Sequence, residues 1–346
     1  MSLAAAPPRT TLMASETAEG PAAAGRVLAR NEAVLRRIAK RFAAHPPAFV
    51  VTCARGSSDH AATYGKYLIE ILLGLPTVSA ALSVSSVFET PLARSNALCL
   101  AISQSGRSPD LLRAVRGHQE AGAFVVALVN DETSPLAELA DEVLALSAGP
   151  ERSVAATKSF IASLTGLAAL VAACADAAPL KAQLDDLEPA LAKALALDWS
   201  PALPLLIPAR NLFVMGRGYS FGVAQEAALK LKETSGLHAE AFSSAEVRHG
   251  PMAIVKNGFP VLGFATSDAA GDDVRQAAGE FRERGAQVLL AGEASGLTGL
   301  PSLPANPVLQ PILMIQSFYR LAETLARERG LDPDHPPFLR KVTETL

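Results

Sequence analysis

Membrane-length apolar runs, closely spaced cysteines and metal-binding histidine patterns are all missing from this chain. Hydrophobic residues make up 49% of its 346 positions. No stretch, however, approaches the ~18–20 consecutive apolar residues that a bilayer crossing requires, because charges or prolines interrupt the longest candidates. A soluble protein with no membrane partner is expected. Cys53, Cys99 and Cys174 are odd in number and form no Cys-x-x-Cys, which predicts a reduced, cytoplasmic protein with buried thiols. The six histidines, at 45, 60, 118, 238, 249 and 335, make neither His-x-His nor His-Glu-x-x-His, so no metal site is expected. With 31 basic against 34 acidic residues the net charge is −3, which gives nucleic acid no electrostatic footing. Gly-x-Gly-x-x-Gly is absent too, which disfavours a dinucleotide. The start, Met1-Ser-Leu-Ala-Ala-Ala-Pro-Pro, has prolines where a signal peptide needs an apolar core and no basic residue before them. Residues 1–24 are therefore expected to be a flexible tail.

What the chain does have is a repeat of itself. Phe49-Val-Val-Thr-Cys-Ala-Arg-Gly-Ser recurs as Leu212-Phe-Val-Met-Gly-Arg-Gly-Tyr-Ser, with Gly56 and Gly218 162 positions apart. Ala121-Gly-Ala-Phe-Val-Val-Ala-Leu recurs as Arg284-Gly-Ala-Gln-Val-Leu-Leu-Ala, with Gly122 and Gly285 163 apart. Two landmarks at nearly one offset predict two copies of one fold. Short runs apolar at nearly every position (Ala97–Ile102, Phe124–Val129, Val143–Leu146, Phe259–Ala265, Gln287–Ala291) alternate with helical stretches. Strands of that kind are buried on both faces, so each copy is expected to be a parallel sheet between helices, an α/β three-layer sandwich of flavodoxin type. Leu180–Leu197 reads as a helical linker, and Asp198–Pro208, with three prolines, as the domain boundary. The expected division is a tail over 1–24, a first domain over 25–197, a second over 198–330 and a C-terminal tail over 331–346.

The run Ala97–Ile102 leads into Ser103-Gln-Ser-Gly-Arg-Ser-Pro-Asp. Pro109 suits the first position of a helix and Ser108 its N-cap. A loop after a parallel strand and before a helix is where such sheets bind anions, through free N–H groups and the helix dipole. Ser103, Gln104, Ser105 and Ser108 add neutral donors. An ordinary capped turn has similar composition, but the second copy separates the readings. There Thr266-Ser-Asp-Ala-Ala-Gly stands opposite, and Asp268 would repel a phosphate. In the second copy Glu226, Lys230 and Glu233 lie at i, i+4 and i+7 of an Ala/Leu-rich run, within ~60° of one helix face. Two acids and a lysine with a loop histidine, His249, suit proton transfer. A surface helix with Glu-to-Lys pairing, at ~0.2–0.5 kcal/mol, would show the same pattern. Ser57 and Ser58, at the neighbouring strand end, are weaker candidates, and His60 and His118 read as solvated or core residues.

Ser103-Gln-Ser-Gly, Val154-Ala-Ala-Thr-Lys, Gln225-Glu-Ala-Ala-Leu-Lys-Leu-Lys-Glu, His238-Ala-Glu-Ala and Arg248-His-Gly-Pro together resemble the signature stretches of tandem sugar-isomerase (SIS) domain proteins. The likeness runs from Met13 to Leu346. It is strongest to the isomerase half of glucosamine-6-phosphate synthase and to SIS-type glucosamine-6-phosphate deaminases. The resemblance implies that Ser103, Gln104, Ser105 and Ser108 hold a sugar phosphate, and that Ser58 and the Val154-Ala155 backbone line the sugar. It makes Glu233 the carrier of a proton between C1 and C2, and His249 the ring-opening residue, acting from a neighbouring subunit of a homodimer. Glu226 and Lys230 lie near that site, and Lys341 contacts the open-chain sugar. No cofactor is implied. Arg107 and Ser108 replace the synthase Glu and Thr, and Phe338 replaces an Asn. A glutaminase domain is not part of this sequence, which points to deamination of glucosamine 6-phosphate. Rival expectations are a deglycase of phosphorylated fructose-amino acids, an amino-sugar-phosphate isomerase, and a non-catalytic sugar-phosphate sensor. The full proton-transfer set weighs against the sensor.

Overall fold

The structure, a computed structural model, describes residues 10–292 and 299–341. The first half carries β1 (Phe49–Cys53), β2 (Thr77–Ser79), β3 (Ala97–Ser103), β4 (Phe124–Val129) and β5 (Glu142–Ala145). The second carries β6 (Asn211–Gly216), β7 (His238–Ser243), β8 (Pro260–Phe264), β9 (Gln287–Ala291) and β10 (Gly299–Leu300). All pairings are parallel, in the orders β2-β1-β3-β4-β5 and β10-β9-β8-β6-β7. Within each half the second strand flanks the first and the third, fourth and fifth follow on its other side. This is the flavodoxin-like order, present twice. The repeated glycines occupy matching left-handed turns, with φ +53° at Gly56 and +58° at Gly218, and +98° at Gly122 and +83° at Gly285. Only glycine enters that region without strain.

Helices cover the faces. In the first half these are α1 (Leu12–Ala18), α2 (Gly20–Ala44), α3 (Ser57–Leu73), α4 (Leu82–Ser86), α5 (Pro109–Glu120), α6 (Pro135–Leu139) and α7 (Lys158–Cys174). Then come α8 (Ala178–Asp185), α9 (Leu187–Leu195), α10 (Leu203–Leu206), α11 (Phe221–Ser235), α12 (Ala269–Glu283) and α13 (Gln310–Glu328). Every residue of β3 is buried, which explains its continuous apolar reading. β2 and β7 went unseen in the sequence because both lie largely open to solvent, with two of the three residues of β2 exposed and only one residue of β7 buried. Cys53 and Cys99 are buried and Cys174 half-buried. No described helix is long and apolar enough to cross a membrane.

Two expectations need correction. Residues 12–24 are not a flexible tail: they form α1 and the first turn of α2, and Met13 is fully buried. Thr11 caps α1 by accepting from the Ala14 N–H at 3.0 Å, while the Asp334 carboxylate, arriving from the C-terminal segment, accepts from Leu12 (2.7 Å) and Met13 (2.8 Å). A contact across more than three hundred residues leaves no local pattern. The linker is two helices, α8 and α9, broken at Asp186. The boundary stretch after it is itself partly helical, with α10 between Pro201 and Pro208.

The counterpart helices α3 and α11 pack against each other. A Cβ at Gly222 would sit 2.4 Å from the His60 carbonyl oxygen and 2.8 Å from the Tyr64 nitrogen. Glycine there is what lets the two backbones meet, and it brings the first turn of α3 against the charged face of α11.

Candidate functional site

The Ser103–Ser108 loop leaves β3 beside the Arg55–Ser58 loop, which leaves β1. β1 and β3 are neighbours at the point where the strand order reverses, the usual ligand position in this architecture. Ser103 Oγ accepts from the Gly106 N–H at 3.0 Å, and Ser105 Oγ from the Arg107 N–H at 3.4 Å. Gly106, at φ +65°, is packed so closely that a Cβ would lie 2.2 Å from Ser134 Oγ. Ser108 occupies the N-cap of α5, but its side chain makes no capping bond. Nearby cations are tied off: Arg55 pairs with buried Asp110 (Nε to Oδ2 3.0 Å) and Arg107 with Asp131 (2.8 Å). What remains toward the loop is neutral donors at a helix start, suited to a dianion. The equivalent loop of the second copy is already filled. Asp268 accepts from the Gly271 N–H (2.9 Å) and the Thr266 hydroxyl (2.7 Å), and a Cβ at Gly271 would lie 1.7 Å from Thr266 O.

On α11 the three charged residues do share a face. Lys230 Nζ is 2.5 Å from Glu233 Oε2 and 3.5 Å from Glu226 Oε1. The side chains of Glu226 and Lys230 are 0% and 1% exposed, that of Glu233 18%. Glu233 is thus the member of the trio that a substrate can reach. The surface-pair reading fails, because two of the three charges are buried. Burial alone would raise the Glu226 carboxyl, yet Lys230, His60 and Ser57 together hold it below its ordinary range. Burial alone would lower Lys230, and Glu226, Glu233 and Glu151 outweigh it, so the ammonium sits above its ordinary range. Glu226 also accepts from Ser57 Oγ (3.1 Å), His60 Nδ1 (3.0 Å) and the Tyr319 hydroxyl (3.2 Å). Ser57 and His60 therefore connect the β1 loop, and the hydroxyl loop beside it, to the trio.

Lys341 Nζ lies 3.0 Å from Glu151 Oε2. Glu151 is buried and further accepts from the Thr157 N–H, the Ser159 N–H and the Ser159 hydroxyl. These bonds fold the 151–158 loop, which presents half-buried Val154 and buried Ala155. The Val154 N–H reaches the Asp334 carbonyl oxygen at 3.5 Å, tying the loop to the C-terminal segment. Ser58 and Gln104 are half-buried at their loops. His249 is not brought to the trio. It ends the 3-10 turn Glu246–His249, exposed, while its neighbour Arg248 clamps the turn to α12 through Asp273 (2.9 Å) and Glu280 (3.0 Å). Sequence reasoning missed Glu151 and Tyr319, which carry no motif of their own, and set His60 aside as an ordinary helical histidine. Among the described residues no group of three His, Cys, Asp or Glu is placed to hold a metal.

The SIS domain family matches residues 49–173 and 205–291, which take in all of the first sheet and β6 to β9 of the second. The chain belongs to the SIS domain family. This SIS protein is 35% identical over 300 residues to the glutamine–fructose-6-phosphate aminotransferase (isomerizing) of Methanothermobacter thermautotrophicus, covering 83% of this chain and 50% of that protein. It is also 35% identical to the enzyme of that name from Thermococcus kodakarensis, over 95% of this chain and 57% of the relative. The chain thus spans about half the length of the curated relatives it matches. A crystal structure of a protein from Silicibacter pomeroyi DSS-3, suggested to be a phosphosugar isomerase, is 44% identical with a TM-score of 0.89, covering 94% of this chain and all of the other. A glucosamine-6-phosphate deaminase from Thermotoga maritima shares the fold, with a TM-score of 0.74 at 23% identity, over 97% of this chain and all of that one.

Proposed function

We propose that this SIS protein is a glucosamine-6-phosphate deaminase that converts glucosamine 6-phosphate and water to fructose 6-phosphate and ammonia. The observation that carries the reading is the reachable Glu233 carboxylate held 2.5 Å from a buried Lys230 ammonium, whose partner Glu226 is bonded to Ser57 and His60 after β1, the strand next to the one that leads into the loop of neutral donors. Relatives named for fructose 6-phosphate and a fold neighbour named as this deaminase point to the same amino-sugar-phosphate chemistry. In the proposed reaction Ser103, Gln104, Ser105 and Ser108 hold the phosphate, and Ser58, Val154 and Ala155 line the sugar. Once the ring is open, Glu233 removes the proton from C2 while O1 gains the proton given up by the C2 ammonium, and Glu233 then delivers its proton to C1. The resulting C2 imine takes up water and loses ammonia. Lys341 contacts the open chain. His249, exposed and without a hydrogen bond or ion pair to the trio among the described residues, acts in the site of a second copy in a homodimer.

Purified protein without glutamine, metal or nucleotide is expected to release ammonia from glucosamine 6-phosphate and to leave unphosphorylated glucosamine untouched. Release of an amino acid from a fructosamine 6-phosphate, with glucosamine 6-phosphate unchanged, identifies a deglycase instead. Tight binding without turnover identifies a sensor. The shared site has its own test. Mixing inactive Glu233→Gln and His249→Ala chains is expected to restore part of the activity through hybrid sites, and no recovery after verified subunit exchange rejects it.

A further inference from the structure

His60 stands in the first turn of α3, where a histidine ordinarily faces solvent or core. Here its side chain is 19% exposed and Nδ1 lies 3.0 Å from Oε2 of a carboxylate that is itself fully buried. An ionised carboxylate only accepts, so Nδ1 carries the proton in this pair. The two oxygens of Glu226 are served differently. Oε1 faces Ser57 (3.1 Å), Tyr319 (3.2 Å) and Lys230 (3.5 Å), whereas the sole hydrogen-bond partner of Oε2 among the described residues is His60. Gly222 fixes the arrangement, since any larger residue would push α11 away from the His60 backbone. Other charges facing the cluster are Asp59 on α3, Glu233 on α11, and Glu151 and Lys341 from the loop and C-terminal segment.

We propose that His60 is a positioning residue of the proton-transfer site: by donating to Glu226 Oε2 it shares the charge of that carboxylate, and so leaves Lys230 against Glu233 instead of drawn onto Glu226. Glu226 lies where water cannot screen it, and an oxygen there left without a donor is costly. Lys230 is the adjustable cation within reach of both acids, standing nearer Glu233 by 2.5 Å against 3.5 Å. Removing the His60 donor shifts that balance toward Glu226 and loosens the grip on Glu233. His60 thus works through two intermediaries and needs no contact with substrate. The proposal deepens the reading of Glu233 as the proton carrier, and rests on it only for kinetics.

The test compares wild type, His60→Ala and His60→Asn as full chains, with ¹³C-carboxyl glutamate and ¹⁵Nζ lysine labels read by NMR. The Asn amide keeps a donor close to the Nδ1 position. In the alanine variant the Glu226 and Lys230 resonances are expected to move while Glu151, held by Lys341 and Ser159, stays put. kcat is expected to fall about 10–100-fold, as for outer partners of a reacting group, with KM changed less than about twofold. The Asn variant is expected to restore both signals and most of the rate. If the alanine chain does not fold, His60→Leu, closer in volume, takes its place. Unmoved Glu226 and Lys230 resonances overturn the proposal, and so does a rise in KM at constant kcat, which would make His60 a substrate ligand. If the resonances move as expected but the wild type releases no ammonia, the positioning role stands and the deaminase reading alone falls.

Discussion

Replacing Glu233 by Gln is expected to lower kcat by ~10²–10⁴, the usual contribution of a general acid–base residue, while the KM for the phosphorylated sugar changes little. The substitution keeps size and removes the ability to take a proton, together with the charge that faces Lys230. Because Glu233 is the exposed member of the trio at 18%, and its neighbour Lys230 keeps Glu226 at 3.5 Å, the variant should fold normally. Steady-state ammonia release, checked against an unchanged thermal midpoint, measures the effect. A variant with more than about half the wild-type kcat removes Glu233 from the reaction.

Lys230→Met should have the largest effect on stability. It leaves Glu226 as a fully buried carboxylate without its cation, and breaking such a pair typically costs ~3–5 kcal/mol. The double variant Glu226→Gln/Lys230→Met removes both charges and should recover most of the loss. Urea unfolding of the wild type, Glu226→Gln, Lys230→Met and the double variant gives the coupling directly, and additive losses would show that the pair is energetically idle. The pH dependence follows from the same groups. Glu226 is held below its ordinary range, so its share of stability is present above the unfolded carboxylate value of ~4.3 and is lost as pH falls through the folded one. Lys230 is held above its range, so its share is present below the unfolded value of ~10.4 and is lost as pH rises through the folded one. Lys230→Met should therefore flatten the alkaline limb of the stability curve.

Much of this was legible because it is periodic or local. β4 and β9 occur at the bounds their apolar runs suggest, β3 extends one residue further and β5 is shifted by one, since buried parallel strands need apolar residues on both faces. The repeat appeared through glycines that a turn of positive φ demands, at Gly56 and Gly218 and again at Gly122 and Gly285. The helical face of Glu226, Lys230 and Glu233 followed from a spacing of four and three. β2 and β7 were not legible, because most of their residues are exposed or half-buried and need not be apolar. Nor was α1, whose first N–H groups are satisfied by Asp334 from the far end of the chain.

By itself the sequence determined two parallel α/β halves, a neutral hydroxyl loop in one and an acid–lysine–acid face in the other, because helix and strand periods and turn geometry act over a few residues. Only the tertiary structure decided that α3 meets α11 through Gly222, that Glu226 and Lys230 are buried while Glu233 is reachable, and that His60, Tyr319 and Glu151 belong to the same charged network. Burial and ion pairing depend on which surfaces meet across the two halves, and no local spacing encodes that.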